Sequence, residues 1–229
     1  IIDNIPRLVD SDNYTNSFGY QWNIHAKTQL DSHSGLNISK DRLDRISDLS
    51  NREWKDKKIL EAGSGAGRFT EILLKSSATI YSFDFSTACQ ANALNNGLSD
   101  NLILFQGDIF HIPFKDGYFD QVFCLGVIQH TPDPEAAFIA LASKVNQGGS
   151  LYIDVYTKNF FSLIHWKYIL RPLTKRISQI KLYNMICKTV PFLIPLSKIL
   201  RKFFGRAGAR LIPIVEYSQL GLHKKLNEE

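Results

Sequence analysis

Eight consecutive residues, Glu61-Ala62-Gly63-Ser64-Gly65-Ala66-Gly67-Arg68, set a carboxylate just ahead of three glycines at alternate positions. Glycine lacks a Cβ, so such a run turns tightly and brings backbone close to a ligand. Its spacing argues against a dinucleotide: a pyrophosphate loop places its third glycine three residues after the second, and that place is Arg68 here. The acid before the first glycine points the same way, because a carboxylate repels a pyrophosphate and welcomes a ligand bearing an ammonium group. A tight turn with no ligand is the alternative.

Three further positions recur at the ends of expected strands. Asp84 follows Tyr81-Ser82-Phe83, about 20 residues past the loop, where a carboxylate can accept both hydroxyls of a ribose. Capping the next helix is its other reading, but Ser86 is available for that task. Gly107-Asp108-Ile109 follows the third strand, with a surface turn as the plain reading of Asp108. The fourth strand ends in Cys124-Leu125-Gly126-Val127-Ile128-Gln129-His130, where Gly126 permits close approach of a ligand. His130 titrates near neutrality and is the candidate general base; bonding a backbone carbonyl in the strand-to-helix turn is its structural alternative.

The elements that must position these residues alternate. Lys58 to Leu60, Thr79 to Phe83, Leu102 to Phe105, Phe119 to Leu125 and Leu151 to Tyr156 read as strands. Between them lie expected helices: one with Phe69, Ile72 and Leu73 inward and a Glu71–Lys75 pair, one capped by Ser86 and stopped near Gly97, and one capped by Asp133 with Pro134 in its first turn. Phe138, Leu141, Ala142 and Val145 mark the inward stripe of the last, which Gly148-Gly149 should end. Repeated β-α units with short connections require a parallel sheet with helices on both faces, a Rossmann-like α/β fold. Residues 1–37 read as an irregular arm with an aromatic cluster at Phe18, Tyr20 and Trp22, and Ser39 as the cap of a helix running to about Ser50.

Together these features resemble the class I S-adenosyl-L-methionine-dependent methyltransferases, in particular the small-molecule enzymes akin to those of quinone biosynthesis, over about residues 57–156. Glu61-x-Gly63-x-Gly65-x-Gly67 is similar to their first motif, and Gln129-His130-Thr131-Pro132-Asp133-Pro134 to their turn after the fourth strand. The resemblance implies S-adenosyl-L-methionine (SAM) as cofactor. It implies that Glu61, Gly63 and Gly65 lie along the methionine half, Asp108 on the adenine amino group and Ile109 on the ring face, with Ser64, Asp84, Phe85, Leu125 and Gly126 also binding the cofactor. Asn16 to Asn23 and Thr28 to Asp31 resemble the N-terminal arm of bacterial members. Its aromatics either close over the cofactor or pack the arm onto the sheet edge. Members finish the sheet with an antiparallel hairpin; only Ile212 to Val215 is a weak candidate here, so the hairpin is expected to be absent from this chain.

With 229 residues, 44% of them hydrophobic, the chain can bury one large core. The only methionine is Met185 and residue 1 is Ile, which reads as a stretch of a longer or processed chain. Cys89, Cys124 and Cys187 show no metal-ligand spacing, and no metal site is expected. Neither a signal peptide nor a transmembrane span is visible, so a cytoplasmic location is expected.

The net charge of +5 divides unevenly. Residues 1–156 hold 13 Lys and Arg against 19 Asp and Glu, whereas residues 157–229 hold 14 against 3. The chain is therefore read as an arm (1–37), a cofactor-binding core (38–156) and a basic helical region (157–229) whose short helices are broken by Pro172, Pro191 and Pro195. That region, with Phe160-Phe161 and Trp166 among its aromatics, is either a lid over the acceptor or, through 157–215, a peripheral membrane surface. No RNA-binding motif supports a nucleic-acid partner.

The expected function is methyl transfer from SAM to a small-molecule or lipid-like acceptor. The competing reading is a SAM-binding membrane-surface or interaction protein without turnover. A nucleotide-dependent oxidoreductase is disfavoured by the glycine spacing.

Overall fold

A computed structural model of the chain describes residues 1–10, 13–47, 54–97, 99–155, 166–212 and 214. Residues 1–156 and residues 157–228 form two compact units.

The first unit is built on strands β1 (Lys58–Ala62), β2 (Thr79–Asp84), β3 (Leu102–Gln106), β4 (Phe119–Cys124) and β5 (Val145–Ile153), in the order β3-β2-β1-β4-β5. Every neighbouring pair is parallel. Successive residues point to opposite faces, so Ile59, Ile80, Leu104 and Phe123 join one apolar cluster and Leu60, Tyr81, Phe105 and Val122 the other. Phe69, Ile72 and Leu73 cover the first face; Ala137 and Leu141 cover the second. Strand order reverses between β1 and β4, which opens a crevice beyond their carboxyl ends.

Helices α1 (Asn16–Ile24), α2 (Asp31–Ser34), α3 (Ile38–Ser47), α4 (Thr70–Leu73), α5 (Cys89–Asn96) and α6 (Pro134–Lys144) belong to this unit. Its first residues bridge the last residue of the β3 edge: Gln106 N–H donates to the Pro6 carbonyl and Leu8 N–H to the Gln106 carbonyl, both at 2.9 Å.

Several local expectations are corrected. The arm is not irregular, since α1 and α2 lie within it. Ser39 does not cap α3. Instead the buried Asp31 carboxylate accepts the Ser39 and Lys40 N–H groups, each at 2.9 Å, and satisfies two donors left open at the helix start. Glu71 is engaged by the Asp31 and Ser32 N–H groups at 3.1 Å, where a pair with Lys75 had been expected. Helix α5 starts at Cys89, three residues after Ser86, whose hydroxyl accepts from Ala88 N–H. Helix α6 keeps its Asp133 cap and proline but buries Ala137 and Leu141, leaving Phe138 44% exposed. It ends at Lys144, and Gly148-Gly149 lies inside β5. Ser50, Tyr156, Phe160, Phe161 and Val215 fall outside the described residues.

The second unit contains α7 (Trp166–Thr174) and α8 (Gln179–Leu211), the latter kinked at Gly205. Pro172, Pro191 and Pro195 lie inside these helices and break neither, contrary to expectation. Each proline deletes one N–H bond and strains the turn before it; the 33 residues of α8 absorb this at Pro191 and Pro195, and Pro172 falls in the last turn of α7. Beyond the kink the chain folds back, with Ser197 Oγ donating to the carbonyls of Ile212 and Ile214 at 3.0 and 2.9 Å. Among the described residues no strand follows β5.

Candidate functional site

The glycine loop leaves β1 and is pinned to the end of β2. Gly63 and Ser64 N–H both donate to the Phe83 carbonyl, at 2.8 and 3.0 Å, and Gly65 N–H donates to Asp84 Oδ2 at 2.8 Å. Gly65 holds φ at +54°, a region that favours glycine, beneath the indole of Trp22. Asp84 Oδ1 accepts from both the N–H and the hydroxyl of Ser86. Three of the four acceptor directions of this carboxylate are thereby used within the chain, and one on Oδ2 remains.

A cavity of about 330 Å³ opens here, within the range of small-molecule sites. Gly63, Ser64, Gly65, Asp84, Phe85, Asp108, Ile109, Leu125, Gly126 and His130 all line it. Glu61 does not. It lies behind the loop, 3% exposed, with Oε2 accepting from the hydroxyls of Thr70 and Ser82 and Oε1 without a hydrogen-bond partner. Burial pushes its carboxyl up to about 7, against the opposing pull of those two hydroxyls. Burial also raises Asp84, while the Ser86 and Gly65 hydrogen bonds hold it back.

Asp108 stands at the far end, where Oδ1 accepts from Phe110 N–H at 3.0 Å and Oδ2 meets the His111 ring at 2.9 Å. Gly126 N–H donates to Asp154 on β5's continuation, and Asp154 also pairs with Arg42. A Cβ on Gly126 would meet nothing within 4 Å, so a side chain there would project into open space. His130 is exposed on the cavity wall, its ring 5.4 Å from that of Phe18.

The arm supplies part of the wall through Phe18 and Trp22, two members of the expected aromatic cluster, and through Tyr14, which sequence reasoning missed. Tyr14, Phe18 and Trp22 recur every fourth residue and line the cavity together, with the Tyr14 ring 5.2 Å from that of Phe85. Phe18 and Trp22 lie four residues apart on one face of α1, and Tyr14 precedes the helix. Tyr20, the third member of the expected aromatic cluster, is not among the lining residues. Burial and the nearby carboxylates of Asp108 and Asp84 raise the Tyr14 phenol, so it stays a neutral donor. Arg42 and Arg68 also reach the cavity, from α3 and from the loop, over the ring of Phe69 at 5.5 and 4.7 Å. No local pattern singles out these two. Burial, followed by repulsion from Arg42, lowers the Arg68 guanidinium from its ordinary value.

The buried Cys89 and Cys124 are thiols, pushed up to about 11 and 12 by burial. Among the described residues no group of three or more His, Cys, Asp or Glu could hold a metal ion.

The donor set suits an adenosyl cofactor: a carboxylate with a free acceptor direction, a second carboxylate farther along, aromatic faces between them, and an unfilled space over Gly126. Residues 60–153 match the methyltransferase domain family. An uncharacterized Synechococcus protein is 36% identical over 107 residues, which cover 44% of this chain and 26% of that one, so the chain spans about a quarter of that relative's length. The ubiquinone biosynthesis O-methyltransferase of Coxiella burnetii is 26% identical over 174 residues, covering 62% of this chain and 74% of that enzyme. The structure of a Methanococcus maripaludis protein described as an S-adenosyl-L-methionine-dependent methyltransferase superposes with a TM-score of 0.51 at 22% identity, covering 82% of this chain and 89% of that one, a likeness of fold. Sheet order and glycine loop agree with that match: residues 60–153 match a methyltransferase domain, and the first unit has the Rossmann-like methyltransferase fold.

Proposed function

We propose that this chain moves the methyl group of SAM to a hydroxyl oxygen of a small, largely apolar acceptor. One observation carries the reading: a single cavity gathers the glycine loop, Asp84, Asp108 and Gly126 with an imidazole on its wall. The kinship with an enzyme named as an O-methyltransferase of ubiquinone biosynthesis supports oxygen as the atom methylated.

When bound, SAM supplies an electrophilic methyl on a sulfonium, so the protein's work is to orient, to exclude water and to take a proton. Asp84 accepts a ribose hydroxyl through the open direction of Oδ2. Asp108 accepts from the adenine amino group, and Ile109 and Phe85 flank the ring. Arg42 and Arg68 favour a carboxylate. Leu125, Val127, Phe18 and Phe69 give the acceptor side apolar walls that suit a lipid-like or aromatic molecule. His130, on the cavity wall, would accept the proton that a hydroxyl acceptor gives up.

The test is methyl release. The chain is incubated with methyl-tritiated SAM and a set of substituted phenols and catechols, and both labelled product and S-adenosylhomocysteine are measured. Stoichiometric transfer to a hydroxyl is expected. Tight binding of S-adenosylhomocysteine with no transfer to any acceptor would favour the binding role without turnover, and failure to bind it would overturn the assignment of the cavity.

A further inference from the structure

The second unit has a face that methyl transfer does not use. Helix α8 half-buries Leu182, Val190, Leu193 and Leu200 along one side. On the adjoining strip, three or four residues away along the helix, Met185, Phe192, Leu196, Ile199 and Phe203 are exposed, Phe192 by 81% and Phe203 by 73%. Their spacing of seven, four, three and four residues makes one continuous apolar stripe facing solvent. Exposed Lys181, Lys188 and Lys202 flank it. Over residues 166–212 the sequence holds 11 Lys and Arg and not one Asp or Glu.

We propose that this face docks on the surface of an anionic lipid bilayer, with the stripe entering the headgroup boundary and the lysines and arginines meeting lipid phosphates. Charge selects the occupant. A second copy of the chain would set one acid-free basic face against another, whereas an anionic headgroup layer complements it. The apolar stripe selects a lipid surface over a duplex nucleic acid, whose phosphates would satisfy the cations and leave Phe192 and Phe203 in water. The helix lies on the surface rather than spanning it, because no described helix is long and apolar enough to cross a membrane. The inference goes beyond the proposed methyl transfer and does not depend on it.

The experiment is flotation of the full chain with vesicles of phosphatidylcholine alone and of phosphatidylcholine mixed with phosphatidylglycerol. Binding to the mixed vesicles only is expected, released as salt approaches about 1 M and charges are screened within about 3 Å. Each membrane-near cation contributes about fivefold to partitioning, so Lys188→Glu with Lys202→Glu should lower it at least about tenfold. Phe192→Asp with Phe203→Asp should weaken it similarly. S-adenosylhomocysteine affinity and the circular dichroism melt should match the parent in both variants, which separates a failure here from a failure of the cofactor assignment. The proposal is overturned by no binding to either vesicle, by equal binding to both, by unchanged binding of both double variants, or by a concentration-dependent dimer that the phenylalanine variant abolishes. Retention on duplex DNA without vesicle binding would equally overturn it.

Discussion

The backbone N–H of Gly65 donates to Asp84 Oδ2 at 2.8 Å, which joins the glycine loop to the carboxylate at the end of the neighbouring strand. Removing that acceptor would loosen the loop and remove the contact proposed for the ribose. Asp84→Ala should weaken S-adenosylhomocysteine binding by about 1.5–3 kcal/mol, the range for a hydrogen bond to a charged group. Isothermal titration decides it; unchanged affinity would remove Asp84 from the site.

Gly67 marks a point of close contact. A Cβ there would lie 2.2 Å from Asn92 Oδ1 and 2.3 Å from Asn96 Nδ2, at a φ of +87°. Asn92 cannot swing aside easily, because its amide donates to Thr70 Oγ1 and Ser82 Oγ at 2.9 and 3.2 Å. Strain and overpacking combined give Gly67→Ala an expected loss of about 2–4 kcal/mol, measured by urea denaturation.

Glu61 makes stability depend on pH in an unusual direction. Its carboxyl stands at about 7 in the folded chain, above its ordinary 4.5, so the folded state holds a proton that the unfolded state has released between these values. Its contribution is therefore fullest below about pH 4.5 and is lost as pH rises through 7. Glu61→Gln should be stabilised relative to the parent by about 3 kcal/mol more at pH 8 than at pH 4, at the usual conversion of about 1.4 kcal/mol per pH unit. Parallel melts at both pH values test it: a difference that does not change with pH removes the buried acid as the cause.

Asp31 holds the start of the helix that carries Arg42 to the cavity. Asp31→Ala leaves two N–H groups of that start without their acceptor and should cost about 1–2 kcal/mol. Differential scanning calorimetry would show the fall in Tm, and titration with S-adenosylhomocysteine a parallel loss of affinity if Arg42 is displaced with the helix.

His130→Ala should lower kcat about a hundredfold or more on a hydroxyl acceptor and leave S-adenosylhomocysteine affinity near that of the parent. The pH profile is the sharper readout: the parent's acidic limb should disappear in the variant. A profile that keeps its shape would reduce His130 to a structural part.

How much the sequence reveals depends on the range of the interaction. Strands β1 to β4 and the Asp133 cap are legible because period, glycine and proline act within a few residues. The strand ends that carry Gly63, Asp84, Asp108 and Gly126 follow from them. Asp31 is not legible as the cap of α3, since it acts from eight residues away through a turn that sequence does not reveal. Arg42 and Arg68 look like any surface cations and become cavity residues only through the packing of α3 on the loop. The depth of Glu61 is not legible, because a motif gives the order of residues and not how far each lies from the cavity. Pro191 and Pro195 look like helix breaks because their local propensity takes no account of the 33-residue helix around them.

The cavity is assembled from residues that lie far apart along the chain, with Tyr14 and Trp22 on one side and Val127 and His130 on another. No fragment that stops short of the fourth strand could hold its ligand, so occupancy becomes a certificate that the first unit has finished folding. Cofactor in excess should therefore delay the melting of that unit as one transition and protect its beginning and its middle from protease to the same degree.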